Sequence, residues 1–223
     1  MFVYKSGMSN TERTFTDIFN HGTWGPVKSG DGSTIRYTEN LRKELPLVYE
    51  KFGVQTFLDA PCGDMTWMPL VLKESNINYI GGDIVGNMIE QHTAQYANER
   101  TKFQHLDICR DALPSADLWM CRDCLFHLCE EEIFMALNNF VKSNIKYILT
   151  STHFSDSINN ITGGSYNGNF DIVTGGFRLL NLFDKPYNFP EPLYRIADAL
   201  VGFPRREMCV WSREQIEKVL MGG

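Results

Sequence analysis

The sequence contains no apolar run near the roughly 18 residues that a membrane-spanning helix needs. Its first residues lack the basic-then-apolar layout of a secretory signal. Positive charge is also scarce: 21 Lys and Arg face 27 Asp and Glu, for a net charge of −6, which leaves no basic footprint for nucleic acid. These absences predict a protein with no membrane span and no nucleic-acid partner.

Two further signatures are missing. No G-x-x-x-x-G-K-[ST] sequence occurs, which excludes a nucleoside triphosphate site of that type. The six cysteines of the 223 residues do not suggest a disulfide framework, and Cys62, Cys109 and Cys121 lie in or beside apolar runs. Reduced thiols in a cytoplasmic protein are the simpler interpretation.

Short apolar segments alternate with helical patterns along the chain. The predicted strands cover 55–60, 78–84, 103–108, 117–121, 145–152 and 207–211. The predicted helices cover 11–21, 33–52 with a kink or break at Pro46, 65–75, 87–98, 130–142 and 193–201. This alternation predicts an α/β protein with a parallel, doubly wound sheet.

Acidic residues end three successive predicted strands, namely Asp59, Asp83 and Asp107. Asp83 follows Asp59 by 24 positions (83 − 59), about the distance at which a ribose-binding carboxylate is expected. Of the G-x-G-x-x-G pattern of dinucleotide sites, the turn after Asp59 keeps only Gly63, and Asp64 would repel a pyrophosphate. The pattern therefore predicts a nucleoside-like ligand without phosphates.

With the segment Asp117 to Leu128, these acids resemble class I S-adenosylmethionine-dependent methyltransferases over residues 34–153. The resemblance implies a Rossmann-like, doubly wound, mostly parallel sheet with an antiparallel edge strand, S-adenosylmethionine as cofactor and S-adenosylhomocysteine as product. In this resemblance the turn Asp59, Ala60, Pro61, Cys62, Gly63 and Asp64 would hold the methionine part of the cofactor. Asp83 would take the ribose hydroxyls, Asp107 with Ile108 the adenine edge, and Cys121 and Arg122 would flank the sulfonium; Trp67 and Ile84 are further implied cofactor-binding residues.

Three motifs, D-x-P-C-G-D, C-R-D-C-L-x-H-L and G-x-x-R-x-x-N-L, resemble a narrower group of small methyltransferases that act on sugar hydroxyls of surface glycans. The resemblance implies O-methylation of a sugar or glycan hydroxyl, and another small-molecule acceptor is the alternative. Arg178 and Asn181 of the last motif are expected to orient acceptor hydroxyls, and Trp24 to contribute a lid.

A hydroxyl acceptor needs a base. Asp123 is the first choice, since it follows the fourth strand and shares a helix face with His127; His127 and His153 are the alternates. A divalent metal held by Asp123, Asp156 and Asn159 or Asn160 would be another route. The adjacent Asp-Asn pair of metal-dependent relatives is missing, so no metal is predicted.

Cys121 and Cys124, with His127 three residues later, leave a different interpretation open. A C-x-x-C could form part of a zinc site or a redox pair, although structural zinc sites draw ligands from two clusters and only one is present. A non-catalytic binding protein with a degenerate turn is the third alternative. Small core residues at a strand-helix junction are the simpler interpretation of these cysteines.

The length and a hydrophobic content of 43% predict one domain over 1–223. Within it, 1–33 is expected to form an N-terminal helix and a lid-like segment. An acceptor-side insertion is expected over 154–206, where a polar loop rich in glycine and asparagine runs to residue 176. The oligomeric state is left open.

Overall fold

A computed structural model describes residues 7–25, 27–154 and 169–222. The strands are β1 Thr56–Asp59, β2 Asn78–Asp83, β3 Thr101–His105, β4 Leu118–Cys121, β5 Tyr147–His153, β6 Tyr194–Ala197 and β7 Arg206–Ser212. The α-helices are α1 Asn10–His21, α2 Glu39–Phe52, α3 Met68–Leu72, α4 Gly86–Tyr96, α5 Glu130–Lys142 and α6 Arg213–Met221.

The described strands form one seven-stranded sheet in the order β3-β2-β1-β4-β5-β7-β6. The first five pair in parallel, β7 runs antiparallel to β5, and β6 pairs antiparallel with β7 at the edge. This arrangement confirms the predicted mostly parallel, doubly wound sheet with an antiparallel edge.

Alternation along the strands divides the core between the two faces of the sheet. In β1, Phe57 packs with Leu45 of α2, whereas the next residue, Leu58, belongs to the cluster of Leu137 in α5. Strands buried on both faces read as continuous apolar runs, which is why they were recognisable in the sequence.

The strand order reverses at β1, whose two neighbours are β2 and β4. Loops after adjacent parallel strands diverge at such a switch point and leave a crevice beyond the carboxyl ends of the strands. Asp59 ends β1 and Asp83 ends β2. Asp59 pairs with Gly81, which lies two residues before Asp83 in β2. The fold therefore brings both acids to the same crevice.

The predicted helix over 193–201 is wrong, because Tyr194–Ala197 forms edge strand β6. Helix α6 was not predicted, although Ser212 and Gln215 form a capping box that is visible in the sequence. Pairing with β7 decides the structure of Tyr194–Ala197, and capping by Ser212 marks the start of α6. Local periodicity predicted neither element.

Two helix boundaries also differ from the prediction. The helix expected from residue 33 begins at Glu39, after a short 3-10 turn at Asp31–Ser33, and it continues past Pro46 to Phe52 as one helix. The helix expected over 65–75 is reduced to Met68–Leu72. Among the described residues, no helix has the length and apolarity to cross a membrane.

Candidate functional site

A cleft of about 970 Å³, counting the open space at its mouth, lies at the carboxyl ends of β1, β2 and β4. Twelve predicted site residues line it: Trp24, Asp59, Pro61, Cys62, Gly63, Trp67, Asp83, Ile84, Asp107, Ile108, Arg122 and Asp123. Seven others do not: Ala60, Asp64, Cys121, His127, His153, Arg178 and Asn181. The three strand-end acids thus meet in one cavity.

Asp59 closes the floor of the cleft. Its carboxylate accepts a 2.8 Å hydrogen bond from the Tyr79 hydroxyl and is only 3% exposed. Burial raises the pKa of Asp59 to about 7, against the opposing effect of the Tyr79 hydrogen bond. Such a carboxylate gains from any ligand that brings a hydrogen-bond donor or a positive charge.

The turn after β1 depends on Gly63, which has a φ of 58°. A Cβ on this glycine would lie 2.7 Å from Ser29 Oγ, so the turn leaves no room for a side chain. The Gly63 amide donates to Asp83 at 3.1 Å, and its carbonyl is 2.8 Å from His92 Nε2. The other half of the turn is held by structure as well: the Ala60 carbonyl accepts from the Trp119 indole at 2.8 Å.

Asp83 lies across the turn and is also buried. Its carboxylate accepts from the Val85 amide at 3.0 Å and from the Gly63 amide. Burial raises the pKa of Asp83 to about 6, although these backbone donors oppose the rise. Each of its oxygens retains further lone pairs for a ligand's hydroxyl groups.

Asp107 forms the third acidic wall. It accepts from the Cys109 amide at 2.9 Å and forms an ion pair with Arg110 at 2.9 Å. Ile108, which follows it, lines the cleft. The wall therefore combines a carboxylate with an apolar side chain, as an aromatic base with polar edges would require.

The described part of the N-terminal segment (7–25 and 27–33, the covering segment) lines one side of the cleft. The lid-like role expected of 1–33 stays a prediction. Thr11, Phe15 and Phe19 of α1 line the cavity from one helix face. Ser29 is fixed to Asp64 by two hydrogen bonds: the Ser29 amide donates to the carboxylate at 3.2 Å, and the Asp64 amide donates to Ser29 Oγ at 2.8 Å. Asp64 thus holds the covering segment in place.

Asp123 enters the cleft beside two arginines. It adopts a left-handed φ of 52°, and a Cβ on Gly32 would overlap its carboxylate. Asp123 lies outside the helices, so the predicted shared helix face with His127 is wrong; the residues between them form a 3-10 turn, and α5 begins only at Glu130.

The charge on Asp123 belongs to a buried network that sequence reasoning missed. Arg206 Nη1 lies 2.8 Å and Arg122 Nη1 3.3 Å from its two oxygens, and both arginines also bind Asp198. Burial alone would raise the pKa of Asp123, but the guanidinium groups of Arg122 and Arg206 outweigh it and hold that pKa below its usual value. No local motif marks Asp198 or Arg206, because neither is near β4 in sequence.

His127 stacks on Trp24 with ring centroids 4.8 Å apart. Its Nδ1 lies 2.6 Å from the carbonyl oxygen of Gly176, which fixes the proton on Nδ1. Burial lowers the pKa of His127. Nε2 therefore carries a lone pair, and it has no hydrogen-bond donor among the described residues.

His153 has the opposite arrangement. The Leu180 amide donates to its Nδ1 at 3.3 Å, so the proton lies on Nε2. Burial, with a smaller contribution from Arg206, lowers the pKa of His153 to about 3. This ring is neutral and is only 4% exposed.

The predicted acceptor residues Arg178 and Asn181 lie behind the cleft. Arg178 is 2% exposed; its Nη2 is 3.4 Å from the Tyr187 hydroxyl, and its Nη1 is 3.6 Å from Asp171. Asn181 binds Asp184 at 2.8 Å within its own turn. Their expected role in orienting an acceptor stays a prediction.

The cysteine pair lies at the end of β4 without a metal-binding neighbourhood. Cys121 is fully buried, and its hydrogen bond to Cys124, followed by burial, raises the pKa of Cys124 well above its usual value. Within 7–25, 27–154 and 169–222, no group of three or more His, Cys, Asp or Glu side chains is placed to hold a metal. Asp156, Asn159 and Asn160 lie outside the described residues.

No model of a known protein family matches the chain, and no curated protein matches its sequence. Solved structures do resemble it. A Burkholderia thailandensis 1,6-didemethyltoxoflavin N1-methyltransferase, crystallised with S-adenosylhomocysteine, has a TM-score of 0.58 at 12% identity, covering 95% of this chain and 92% of its own.

Two further structures give similar values. Magnesium protoporphyrin IX methyltransferase from Synechocystis PCC 6803, with bound S-adenosylmethionine, has a TM-score of 0.55 at 13% identity over 92% of this chain and 99% of its own. The methyltransferase domain of a bacterial Hen1 protein has a TM-score of 0.56 at 14% identity over 79% of this chain and 99% of its own. The chain therefore has the Rossmann-like fold that these methyltransferases share.

Proposed function

We propose that this protein is an S-adenosylmethionine-dependent methyltransferase that releases S-adenosylhomocysteine. The observation that carries the proposal is the convergence of Asp59, Asp83 and Asp107 on one cleft at the switch point of the sheet. Buried carboxylates need donors, and an adenosyl group with an amino acid tail offers ribose hydroxyls, an amino group and a positive sulfur. The shared fold with methyltransferases crystallised with this cofactor or its product supports the same ligand.

The residues present fit this cofactor. Asp83 would accept the ribose hydroxyls, and Asp107 with Ile108 would face the adenine. Asp59 and the turn through Gly63 would hold the methionine end, where Arg122 and Trp67 complete the wall. Three predicted residues do not line the cleft and would contribute indirectly. Ala60 would contribute through its backbone carbonyl, Cys121 by ending β4, and Asp64 by holding Ser29 of the covering segment.

When bound, S-adenosylmethionine supplies a methyl group that its positive sulfur has already activated. The chain's own task is then to align the acceptor and exclude water. Trp24 and the rest of the covering segment would exclude water, since Trp24 and Ser29 line the cleft and Gly32 lies against the Asp123 carboxylate.

Among the three candidate bases, we assign His127 the task of accepting the acceptor's proton. His127 does not line the cleft itself, but it stacks on Trp24, which does. Its Nδ1–H is committed to Gly176, which leaves Nε2 as the acceptor atom. Two arginines give the Asp123 carboxylate a low affinity for protons. The Nε2 of His153 already carries a proton and cannot accept another. Asp123 would instead balance positive charge at the reacting end of the cleft.

The acceptor we propose is a sugar or glycan hydroxyl. Trp24, His127 and Phe177 place aromatic faces next to one another, with His127 and Phe177 centroids 5.8 Å apart and Phe177 57% exposed. Such faces cover the apolar side of a ring while polar groups at its edge fix orientation. A planar small molecule would use the same faces, which keeps another small-molecule acceptor as the second candidate.

Cofactor binding is tested by calorimetry with S-adenosylhomocysteine. Wild type should bind, and Asp83→Asn should bind about tenfold to a hundredfold more weakly, because it loses a charged acceptor of hydroxyl groups. Glu99→Gln removes an exposed carboxylate from the loop before β3 and should leave affinity unchanged. An unchanged affinity in Asp83→Asn, or a wild type that binds neither form of the cofactor, would refute the proposal and favour a non-catalytic or thiol-based protein.

The acceptor class is tested by mass spectrometry. A pool of oligosaccharides and a pool of hydroxylated aromatic compounds are each incubated with the protein and methyl-labelled cofactor. A gain of one methyl in the first pool supports a sugar acceptor, and a gain in the second alone contradicts it. Loss of the labelled product with His127→Asn would show that transfer belongs to this site.

A further inference from the structure

Glu132, which does not line the cleft, joins three separate segments of the chain. This residue of α5 is 6% exposed, and its carboxylate accepts hydrogen bonds from Thr11 of α1, from Thr174 and from Arg110, the last at 3.1 Å. Burial would raise the pKa of Glu132, but these three donors outweigh it and lower that pKa. Glu132 is therefore a buried anion that holds its partners through charge.

One set of these contacts leads to the cofactor side of the cleft. Arg110 bridges Glu132 and Asp107, with its Nη1 at 2.9 Å from the Asp107 carboxylate. Thr11 itself lines the cavity. A ligand that engages Asp107 and pushes against α1 therefore acts on two of the three described partners of the Glu132 carboxylate.

The other contact leads to His127. Thr174, which donates to Glu132, accepts from the Cys129 amide at 2.9 Å. The next residue, Gly175, donates its amide to the His127 carbonyl at 2.8 Å, and the Gly176 carbonyl holds His127 Nδ1. Thr174 to Gly176 is thus a short turn that fixes both the backbone and the ring of His127.

The same turn is packed tightly against α1. Gly175 has a φ of 94°, and a Cβ at this position would lie 2.5 Å from Thr14 Cγ2. The turn is therefore in close contact with helix α1 at Thr14, and it has no room for a side chain at Gly175.

We propose that Glu132 is a positioning residue that couples cofactor binding to the tautomer of His127. Its carboxylate holds the turn at Thr174, so that Gly176 keeps the proton on Nδ1 and leaves Nε2 as the proton acceptor. The coupling half of this role rests on the proposed function, because it assumes a ligand that bears on Asp107 and Thr11. Because such coupling is reciprocal, ligand binding shifts the tautomer equilibrium toward Nδ1–H by the same factor by which the Nδ1–H form raises the affinity for the ligand.

The test uses the full chain, labelled with ¹⁵N in the histidine rings and titrated with S-adenosylhomocysteine. Variants are Glu132→Gln, Thr174→Val and, as the conservative match, Thr174→Ser; the His127 signals are assigned by their loss in His127→Asn. We expect Glu132→Gln and Thr174→Val to move His127 toward the Nε2–H form and to weaken ligand affinity about fivefold or more. Thr174→Ser keeps the hydroxyl and should retain wild-type values for both.

The outcomes separate the two proposals. A purely structural Glu132 would lower the melting temperature but leave the His127 tautomer unchanged, and that result in folded Thr174→Val overturns the inference even if Glu132→Gln fails to fold. A shifted tautomer with unchanged affinity overturns the coupling. A wild type that binds no S-adenosylhomocysteine refutes the proposed function and the coupling, while the tautomer comparison still decides whether Glu132 positions His127.

Discussion

Arg206 Nη1 lies 2.8 Å from Asp123 Oδ1, and Asp123 lines the cleft. The sequence marked Asp123 by its position after β4, but position alone does not set proton affinity. With Arg122 on its other oxygen, the carboxylate is held ionised, and a base of low proton affinity takes up a hydroxyl proton poorly. That Asp123 is the base stays a prediction, and the two arginines beside Asp123 argue against it.

Replacing the two histidines separates their roles. His127→Asn keeps a donor toward Gly176 but loses the Nε2 lone pair, so kcat should fall about 10²- to 10⁴-fold with little change in the KM for cofactor. His153→Asn should cost far less, since the ring is buried and presents a donor. The measurement is steady-state methyl transfer to the acceptor found in the mass spectrometry screen.

The wild-type pH profile gives an independent check on the same assignment. Burial lowers the pKa of His127 from 6.5, so kcat should rise with pH through a value below 6.5 and then level off. A larger loss of kcat in His153→Asn than in His127→Asn, with both variants folded, would reverse the assignment.

Gly63 should be essential for the turn in a way that other left-handed glycines are not. Gly63→Ala and Gly53→Ala both place a side chain at φ near 60°, with a similar backbone cost of roughly 1 kcal/mol. Only at Gly63 would the new Cβ meet Ser29; at Gly53 nothing lies within 4 Å. Calorimetry should show that S-adenosylhomocysteine affinity falls in Gly63→Ala alone, and equal losses in both variants would contradict the close approach.

Asp59 and Asp83 could be predicted because each directly follows an apolar run and ends its strand, so that sequence position and position in the fold coincide. Asp107 lies two residues beyond the end of β3. Helix α1 could be predicted for a similar reason, because Phe15 and Phe19 are one turn apart and share a face. Local signals of this kind placed the cleft and most of its floor.

The groups that tune the site could not be found in the same way. Asp198 binds Arg122 across 76 positions, and the Gly176 carbonyl reaches His127 across 49. These pairs depend on how β6 and β7 return along the sheet and on a turn beyond β5, and no residue pattern near β4 records either. The mistaken helix over 193–201 concealed β6 and therefore also the position of Asp198 beside the cleft.

The buried charge network should matter for stability far more than exposed pairs do. Asp198→Asn leaves Arg122 and Arg206 buried without one of their two carboxylates, which should cost about 3–5 kcal/mol. Glu191→Gln removes the exposed partner of Arg195 as a matched control and should cost less than about 1 kcal/mol. Urea unfolding measures both, and similar costs would show that the buried network is not held by charge.

Asp59 should make stability fall as the pH rises. Its folded pKa of about 7 lies above the usual 3.8, so between roughly pH 4 and 7 the folded state retains a proton that the unfolded state has released. Asp59→Asn removes this effect while keeping an acceptor for the Tyr79 hydroxyl. The free energy of unfolding of Asp59→Asn minus that of wild type should therefore increase from pH 5 to pH 8.

The size and sign of that difference are both testable. The slope cannot exceed about 1.4 kcal/mol per pH unit for one proton, and the change should be complete near pH 8. His153 and His127, whose lowered pKa values act in the opposite direction, are present in both proteins and cancel in the difference. A flat or falling difference for Asp59→Asn would mean that the Asp59 carboxylate is ionised without cost in the folded protein. Burial would then give Asp59 no energetic reason to bind a cationic or hydroxyl-bearing ligand.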